Sequence, residues 1–322
     1  MVWPDVSALK PRGIMSHLGK VEILLSTFNG ERFLRQQLDS IKGQTYKDFS
    51  LRVRDDGSRD GTAGILEEYS ADCSWVDVSY GKNIGVVASF FELLNGTDPR
   101  ASFIAFCDQD DLWYSDKIGR AVAKLAEVGG DVPAMYCSAL RLVDENLNVI
   151  GVPRKPCKSV TLRNALVENM ATGCTVVLNR AAIDLLIPTK MDHNKVVMHD
   201  AWVNVVISAF GVVVYDERPS MDYRQHGGNV VGSALGVSAW MRRLSRFFRR
   251  RRSTLVDQAN ELLRIYSGSL PVEARELVAD FVEGAGSASF FDRLRYVLST
   301  PLYRQRGVDN VIMRALIVLG WR

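Results

Sequence analysis

Residues 106–111 read Phe106-Cys107-Asp108-Gln109-Asp110-Asp111, three carboxylates within four positions at the end of the apolar run 102–106. On a strand, positions i and i+2 share one side, so Asp108 and Asp110 are expected to point the same way. Two like charges held that close repel unless a cation sits between them. Carboxylate oxygens are what hard divalent ions such as Mg²⁺ and Mn²⁺ prefer. An Asp-x-Asp at a strand end therefore predicts a metal site, often one that also holds a diphosphate. The plainer alternative is a solvated acidic loop that caps the next helix. Asp111 stands between these readings, as a further acid or as the cap of a helix from Leu112 onward.

The elements that must position these residues alternate along the first half of the chain. Residues 21–25 form an apolar strand running into the turn-rich Ser26-Thr27-Phe28-Asn29-Gly30. Phe33, Leu34, Leu38 and Ile41 recur at helical spacing. Phe49, Leu51 and Val53 alternate as a second strand, which ends at Asp55-Asp56-Gly57-Ser58. Asp60-Gly61-Thr62 opens a helix to about Tyr69, and Asp60 reads as its cap. A third strand at 76–80, a helix at 87–94 and the strand 102–106 follow. Strand–helix alternation predicts an α/β fold with a mostly parallel, Rossmann-like sheet. Ligands of such sheets bind beyond the carboxyl ends of the strands. Three of those ends carry residues 26–30, 55–58 and 108–111, which predicts a nucleotide pocket there.

The second half is less regular. Residues 134–142 and 175–178 read as strands, 200–210 as a helix and 211–215 as a short strand. From about Leu235 the pattern is helical. These signals divide the chain into an extension, 1–20, a catalytic α/β domain, 21–233, and a helical, basic region, 234–322.

Composition bounds the class. The chain has 322 residues, 47% hydrophobic and 24% charged, which suits a globular domain with a sizeable core. Its five cysteines are scattered without Cys-x-x-Cys spacing, so neither a zinc site nor a disulfide framework is expected. Residues 1–20 contain Pro4, Asp5, Pro11 and His17 and lack the apolar stretch of a signal peptide. The net charge is +3, but residues 242–252 alone hold seven arginines, so the remainder carries 3 − 7 = −4.

Taken in order, the motifs resemble family 2 glycosyltransferases of the GT-A fold. Ile23-Leu24-Leu25-Ser26-Thr27-Phe28-Asn29-Gly30 resembles that family's first strand and loop. Arg54-Asp55-Asp56-Gly57-Ser58-Arg59-Asp60-Gly61-Thr62 resembles its "DDGS-x-DGT" signature, and Asp108-Gln109-Asp110-Asp111-Leu112-Trp113 with Asp116-Lys117 its metal motif. His199-Asp200-Ala201-Trp202 is similar to the site of the catalytic carboxylate, although the family often has Glu-Asp there. Tyr223-Arg224-Gln225-His226-Gly227-Gly228-Asn229 resembles a segment of the rhamnosyltransferase-like branch.

The resemblance implies a metal-dependent, inverting transfer of a sugar from a nucleoside-diphosphate donor to an acceptor hydroxyl. It implies Asp110 as ligand of Mg²⁺ or Mn²⁺, with Asp108 assisting or contacting the ribose. Asp56 would accept a hydrogen bond from the imide N–H of uracil or thymine, with Asp55 ranked behind it, and Ser26 and Phe28 would line the same pocket. For Phe28 core packing is the alternative. Asp200 is implied as general base, where a helix N-cap is the alternative. Arg224 could hold the diphosphate as a fork and His226 could ligate the metal, against the alternative of a surface loop. Gly227-Gly228 suits a lid, and Gly173 a tight turn on the acceptor side. The implied donor is dTDP-L-rhamnose, or else a UDP-hexose.

Val237, Trp240, Met241, Leu244, Phe247 and Phe248 share one helical stripe among the arginines of 242–252. This predicts either contact with an anionic membrane through residues 237–252 or a helix packed on the domain. The apolar stretch at 311–321 is short and interrupted by Arg314, so no membrane span is expected. Together with the resemblance, which implies a glycan or lipid-linked acceptor in O-antigen or capsule synthesis, the expectation is a cytoplasmic enzyme, peripheral on the inner membrane face. A nucleotidyltransferase would normally show a basic, Gly-rich loop after the first strand, and residues 26–30 have no basic residue. A nucleic-acid binder would spread its basic residues with aromatics over one face, whereas here they are confined to one segment. A non-catalytic sugar-binding module is opposed by the intact Asp108, Asp110 and Asp200.

Overall fold

The structure, a computed structural model, describes residues 18–153, 155–187, 190–226 and 254–320. The first half alternates as expected: β1 (Val21–Thr27), α1 (Leu34–Lys42), β2 (Phe49–Asp55), α2 (Thr62–Asp72), β3 (Val76–Tyr80), α3 (Val86–Asn95) and β4 (Phe103–Cys107). Strand β1 is buried almost throughout because both faces of a sheet sandwiched by helices are covered. In α1, Leu34, Leu38 and Ile41 fall at i, i+4 and i+7 and are all buried.

With β6 (Ala134–Ser138), β9 (Val177–Asn179) and β10 (Val212–Asp216), these strands form a seven-stranded sheet in the order β10-β6-β9-β4-β1-β2-β3. All neighbours are parallel except β9, which runs antiparallel between β4 and β6. The parallel register sets Thr27 beside Asp55 and Leu25 beside Cys107. The carboxyl ends of β1, β2 and β4 therefore lie abreast, and the three loops singled out in the sequence issue from one edge.

Three expectations are corrected. No helix starts at Leu112: β5 (Leu112–Trp113) follows the acidic turn, and α4 (Lys117–Ala126) begins later. Residues 134–142 are not one strand, because the chain leaves the main sheet after Ser138 and re-forms as β7 (Arg141–Val143) in a second one. That sheet has the order β5-β11-β7-β8, with β8 (Val149–Gly151) and β11 (Met221–Arg224). Arg224 thus ends a strand, so the alternative of a surface loop does not hold for it. Strand β11 has only four residues, too few for alternation to mark it.

Helices α5 (Leu162–Ala165), α6 (Arg180–Leu186) and α7 (His199–Phe210) complete the α/β part, and α8 (Leu255–Tyr266), α9 (Val272–Gly286), α10 (Phe290–Ser299) and α11 (Gly307–Val318) follow. Helix α8 opens with a reciprocal capping box between Thr254 and Asp257. Val256, Leu262, Phe281 and Tyr296 from these last helices belong to the same buried cluster as Phe90, Trp202 and Val206. The C-terminal helices therefore share a core with the α/β layers. The expected boundary near 233 and the basic stripe at 237–252 lie outside the described residues.

Candidate active site

The three loops at the sheet edge are stitched to one another by side chains. Gln109, the middle residue of the acidic turn, accepts hydrogen bonds from the Thr27 hydroxyl at 2.6 Å and the Phe28 N–H at 2.8 Å, and donates to the Phe28 carbonyl at 3.2 Å. Asn29, at φ 50°, donates its N–H to the Ser58 hydroxyl at 2.9 Å and accepts the Arg59 N–H at 2.9 Å. Gly57 follows at φ +82°, where a side chain is strained and a Cβ would also stand 3.1 Å from the Gly81 carbonyl.

Within this frame Phe28 is 44% exposed, so the core-packing alternative does not hold for it. The Ser26 and Ser89 hydroxyls share a hydrogen bond of 2.7 Å. Asp55 is buried and accepts from the N–H and hydroxyl of Ser58, which closes its own loop. Asp56 is buried too, ion-paired to Arg54, and accepts from the N–H groups of Ile84 at 2.8 Å and Gly85 at 2.9 Å. Two carboxylate oxygens offer about four lone-pair sites, so one acceptor position of Asp56 is left beyond these three bonds. Asp60 accepts from the Thr62 N–H at 3.1 Å and its hydroxyl at 2.5 Å, as a residue serving the start of α2 does. These bonds lower its carboxyl against the opposing effect of burial.

The acidic turn begins one residue after β4 ends, so strand alternation does not govern it. Burial, with the nearby charges of Asp110 and Asp200, pushes Asp108 up to about 7. Asp110 Oδ2 lies 2.7 Å from His226 Nε2, and the His226 ring packs on Phe33 at 5.0 Å between centroids. Asp111 turns inward and is fully buried, so it neither caps a helix nor meets solvent. Its Oδ1 accepts the Arg224 N–H at 3.1 Å, and its Oδ2 has no partner among the described residues. Burial and the two neighbouring aspartates push its carboxyl far up. Below it Lys117 is also fully buried, donating to the Cys174 carbonyl at 2.9 Å and standing 4.4 Å from the Trp113 ring centroid. Burial lowers its ammonium to about 8.

Arg224 calls for a correction of the expected diphosphate fork. It is 1% exposed, and its guanidinium donates to the carbonyls of Asp110 at 2.9 Å and Glu145 at 2.7 Å and to Gln36 Oε1 at 2.7 Å, over the Phe33 ring. It holds the acidic turn from behind and presents no fork at a surface.

Across the pocket, α7 has Met198 as its N-cap and carries Asp200 in its first turn, so Asp200 is not the cap. Asp200 Oδ2 accepts the Gly173 N–H at 2.9 Å and Oδ1 the Ala201 N–H at 2.7 Å. Burial outweighs these bonds and lifts its carboxyl to about 6. His199, where a second acid was expected, is a core residue. It stacks on Phe90 at 4.0 Å and meets Phe106 edge-on. Neither ring nitrogen has a partner among the described residues, and burial lowers the imidazole to about 3.

The fold thus brings Asp108, Asp110, Asp200 and His226 to one place, sets Ser26, Phe28 and Asp56 on the adjoining strand ends, and puts Arg224 behind them. Gln109 and Lys117 were given no role from the sequence, although both lie inside the acidic motif. Their bonds run to residues far along the chain, which no local pattern signals. Asp108, pushed up by burial and the charges of Asp110 and Asp200, belongs to a crowded set of carboxylates that a hard dication would relieve. The oxygen and imidazole donors of Asp108, Asp110 and His226 suit Mg²⁺ or Mn²⁺. Gly227-Gly228, the expected lid, lies outside the described residues.

Comparison with known proteins adds to this geometry. The family model described as Glycosyl transferase family 2 matches residues 22–184. The dTDP-rhamnosyl transferase RfbG of Shigella flexneri is 30% identical over 235 residues, covering 68% of this chain and 78% of that protein. The Escherichia coli UDP-Glc:alpha-D-GlcNAc-diphosphoundecaprenol beta-1,3-glucosyltransferase WfgD is 29% identical over 166 residues, 51% of this chain and 62% of that one. Among solved structures, S. aureus TarS 1–349 in complex with UDP-GlcNAc superposes with a TM-score of 0.57 at 17% identity, covering 94% of this chain and 89% of that one. The mannosyltransferase PcManGT from Pyrobaculum calidifontis, in complex with GDP-Man and Mn²⁺, gives a TM-score of 0.51 at 16% identity over 95% and 88%. At these identities the two structures speak to the fold alone.

Proposed function

The chain belongs to glycosyl transferase family 2 and is a glycosyltransferase with the GT-A fold, and from that premise we propose that it moves L-rhamnose from dTDP-L-rhamnose to a hydroxyl of a glycan or lipid-linked acceptor in cell-surface polysaccharide synthesis, inverting the anomeric centre. The observation that carries the reading is the acidic turn set beside Asp200: Asp108 clusters with Cys174 within 4.8 Å, and the neighbouring Gly173 donates its N–H to Asp200 at 2.9 Å. Inverting transfer needs those two parts facing each other: a place for a leaving diphosphate and a base for the attacking hydroxyl.

Asp200 is the proposed base. Its lifted carboxyl, held by the Gly173 N–H, stays ionised near neutral pH yet is basic enough to take the hydroxyl proton. Asp108, Asp110 and His226 would hold Mg²⁺ or Mn²⁺, which when bound neutralises charge growing on the diphosphate. Asp56 uses its remaining acceptor position for the imide N–H of the base, and Ser26 and the exposed Phe28 line the nucleoside side. Arg224 acts as a positioning residue behind Asp110. Similarity to the rhamnosyl transferase RfbG favours the rhamnose donor. A UDP-hexose is the second reading, favoured by the likeness to WfgD. A lipid-linked acceptor would bring the enzyme to a membrane surface. Residues 237–252, outside the described part, are the stretch whose sequence suits that contact.

The test is nucleoside-diphosphate release from a panel of dTDP- and UDP-sugars, with and without Mg²⁺ or Mn²⁺. Slow, metal-dependent release from dTDP-rhamnose alone, lost in Asp110→Ala, is the expected result. Release from a UDP-hexose alone would replace the rhamnose donor with the second reading. Calorimetry showing no donor bound to the metal-loaded protein would sink both.

A further inference from the structure

The last two helices carry an apolar surface that the described residues do not cover. Among the described residues, seven of the fourteen exposed large hydrophobic side chains lie between positions 290 and 319. In α10, Phe291, Leu294 and Leu298 recur at i, i+3 and i+7 and are 78%, 37% and 76% exposed. One stripe of this helix therefore faces outward while Arg293, Tyr296 and Val297 face the core. In α11, Val308 and Val311 are 71% and 68% exposed, and Leu319 just beyond its end 65%, opposite the buried Met313 and Ile317. The two helices are tied together by Arg293, which donates to the Val318 carbonyl at 3.0 Å. Each is amphipathic twice over, with one apolar face in the core and another in the open. Exposed apolar patches of this kind mark interaction sites.

Charge decides which partner fits. Three exposed arginines, Arg295, Arg306 and Arg314, accompany these faces against the exposed Asp292 and the partly exposed Asp309, which leaves the surface net positive. A second copy docked face to face would set two net-positive surfaces against each other, because a twofold interface pairs the same patch of both chains. The chain's own apolar stripe at 237–248 is interspersed with arginines and would repeat that conflict. An anionic lipid surface has the complementary sign and accepts apolar side chains at the acyl boundary. None of the described helices is long and apolar enough to cross a membrane, so the contact is with the surface of the bilayer.

We infer that α10 and α11 form an interfacial docking surface for an anionic membrane, seating Phe291, Leu298, Val308 and Val311 at the headgroup level with arginines toward the phosphates. This deepens the membrane part of the reading above, on residues separate from 237–252 and from the pocket.

The test is co-sedimentation of the full chain with phosphatidylcholine vesicles, with and without phosphatidylglycerol. The wild type should bind the anionic vesicles. Leu298→Asn with Val311→Asn, which leaves charge unchanged, should weaken that binding at least about tenfold, with an unchanged thermal melt as expected for surface positions. Arg295→Gln with Arg314→Gln should weaken it in a salt-dependent way. Nucleoside-diphosphate release in solution should be the same in all of these, so loss of docking is separable from failure of the donor reading. Wild-type protein that ignores vesicles overturns the inference. So does binding that the Asn pair leaves intact, or a concentration-dependent dimer that the Asn pair abolishes.

Discussion

At the scale of the residue, one carboxylate governs the proposed chemistry. A base works only while unprotonated, so with Asp200 lifted to about 6 by burial, turnover should fall as pH drops through about 6. The measurement is a kcat profile from pH 5 to 8. An acid limb near pH 4, or none, would move the role elsewhere. Asp200→Asn should lower kcat by about 10²–10⁴-fold while donor affinity holds. A second consequence concerns Arg224, whose three side-chain contacts fix the turn bearing Asp110. Lysine keeps the charge and loses the planar fork, so Arg224→Lys should cost about 2–3 kcal/mol in urea unfolding. Metal-dependent donor binding should weaken with it. A variant as stable as wild type with weakened binding would instead restore Arg224 to direct contact with the donor.

At the scale of the element, the short turn at Gly173–Thr175 holds Asp200 from the opposite side. A Cβ on Gly173 would stand 2.8 Å from His199 Nε2, and that ring is wedged against Phe90 and Phe106. Neither side yields easily, so Gly173→Ala should displace the N–H that Asp200 accepts. The expected outcome is a kcat at least tenfold lower at an unchanged donor Kd. A kcat close to wild type would mean that the turn tolerates the shift. Most strands and helices of the first half were legible because they bury a continuous run or a 3.6-residue stripe, whereas β3 buries none of its residues fully and was legible only by its place in the alternation. Strands β8 and β11 were not, since three or four residues hold no period, and β11 also pairs with β5 and β7 far back along the chain.

At the scale of the whole molecule, stability should report the neutral burial of His199. Its folded value of about 3 lies below the ordinary 6.5. That contribution is complete above about pH 6.5 and is lost as pH falls toward 3. At pH 5 the unfolded chain gains about 2 kcal/mol from protonating this one side chain. Asp108 and Asp200 run the other way, because carboxyls raised to about 7 and about 6 stabilise the fold on protonation and lose that contribution as pH rises through those values. The wild-type curve is a sum, so the difference between His199→Phe and wild type isolates the imidazole. The variant should gain relative stability as pH drops from 7 to 5. A constant difference over that range would show that His199 titrates alike in the folded and unfolded chains, so that its burial carries no pH-dependent cost.

The sequence by itself determined the parallel sheet, the three strand ends that meet at its edge, and the acids gathered there. Those are local facts, written in runs of a few residues and in the order of motifs. Only the tertiary structure decided which polar residues face a ligand and which support the site from within. Asp111 and Arg224, 113 positions apart, are bonded to each other behind the pocket, although each was legible alone as a surface acid or a phosphate clamp. Likewise, only packing made the C-terminal helices part of the central core and left the outer faces of the last two uncovered by the described residues. Burial is a property of what the rest of the chain brings into contact, and neither spacing nor residue type records it.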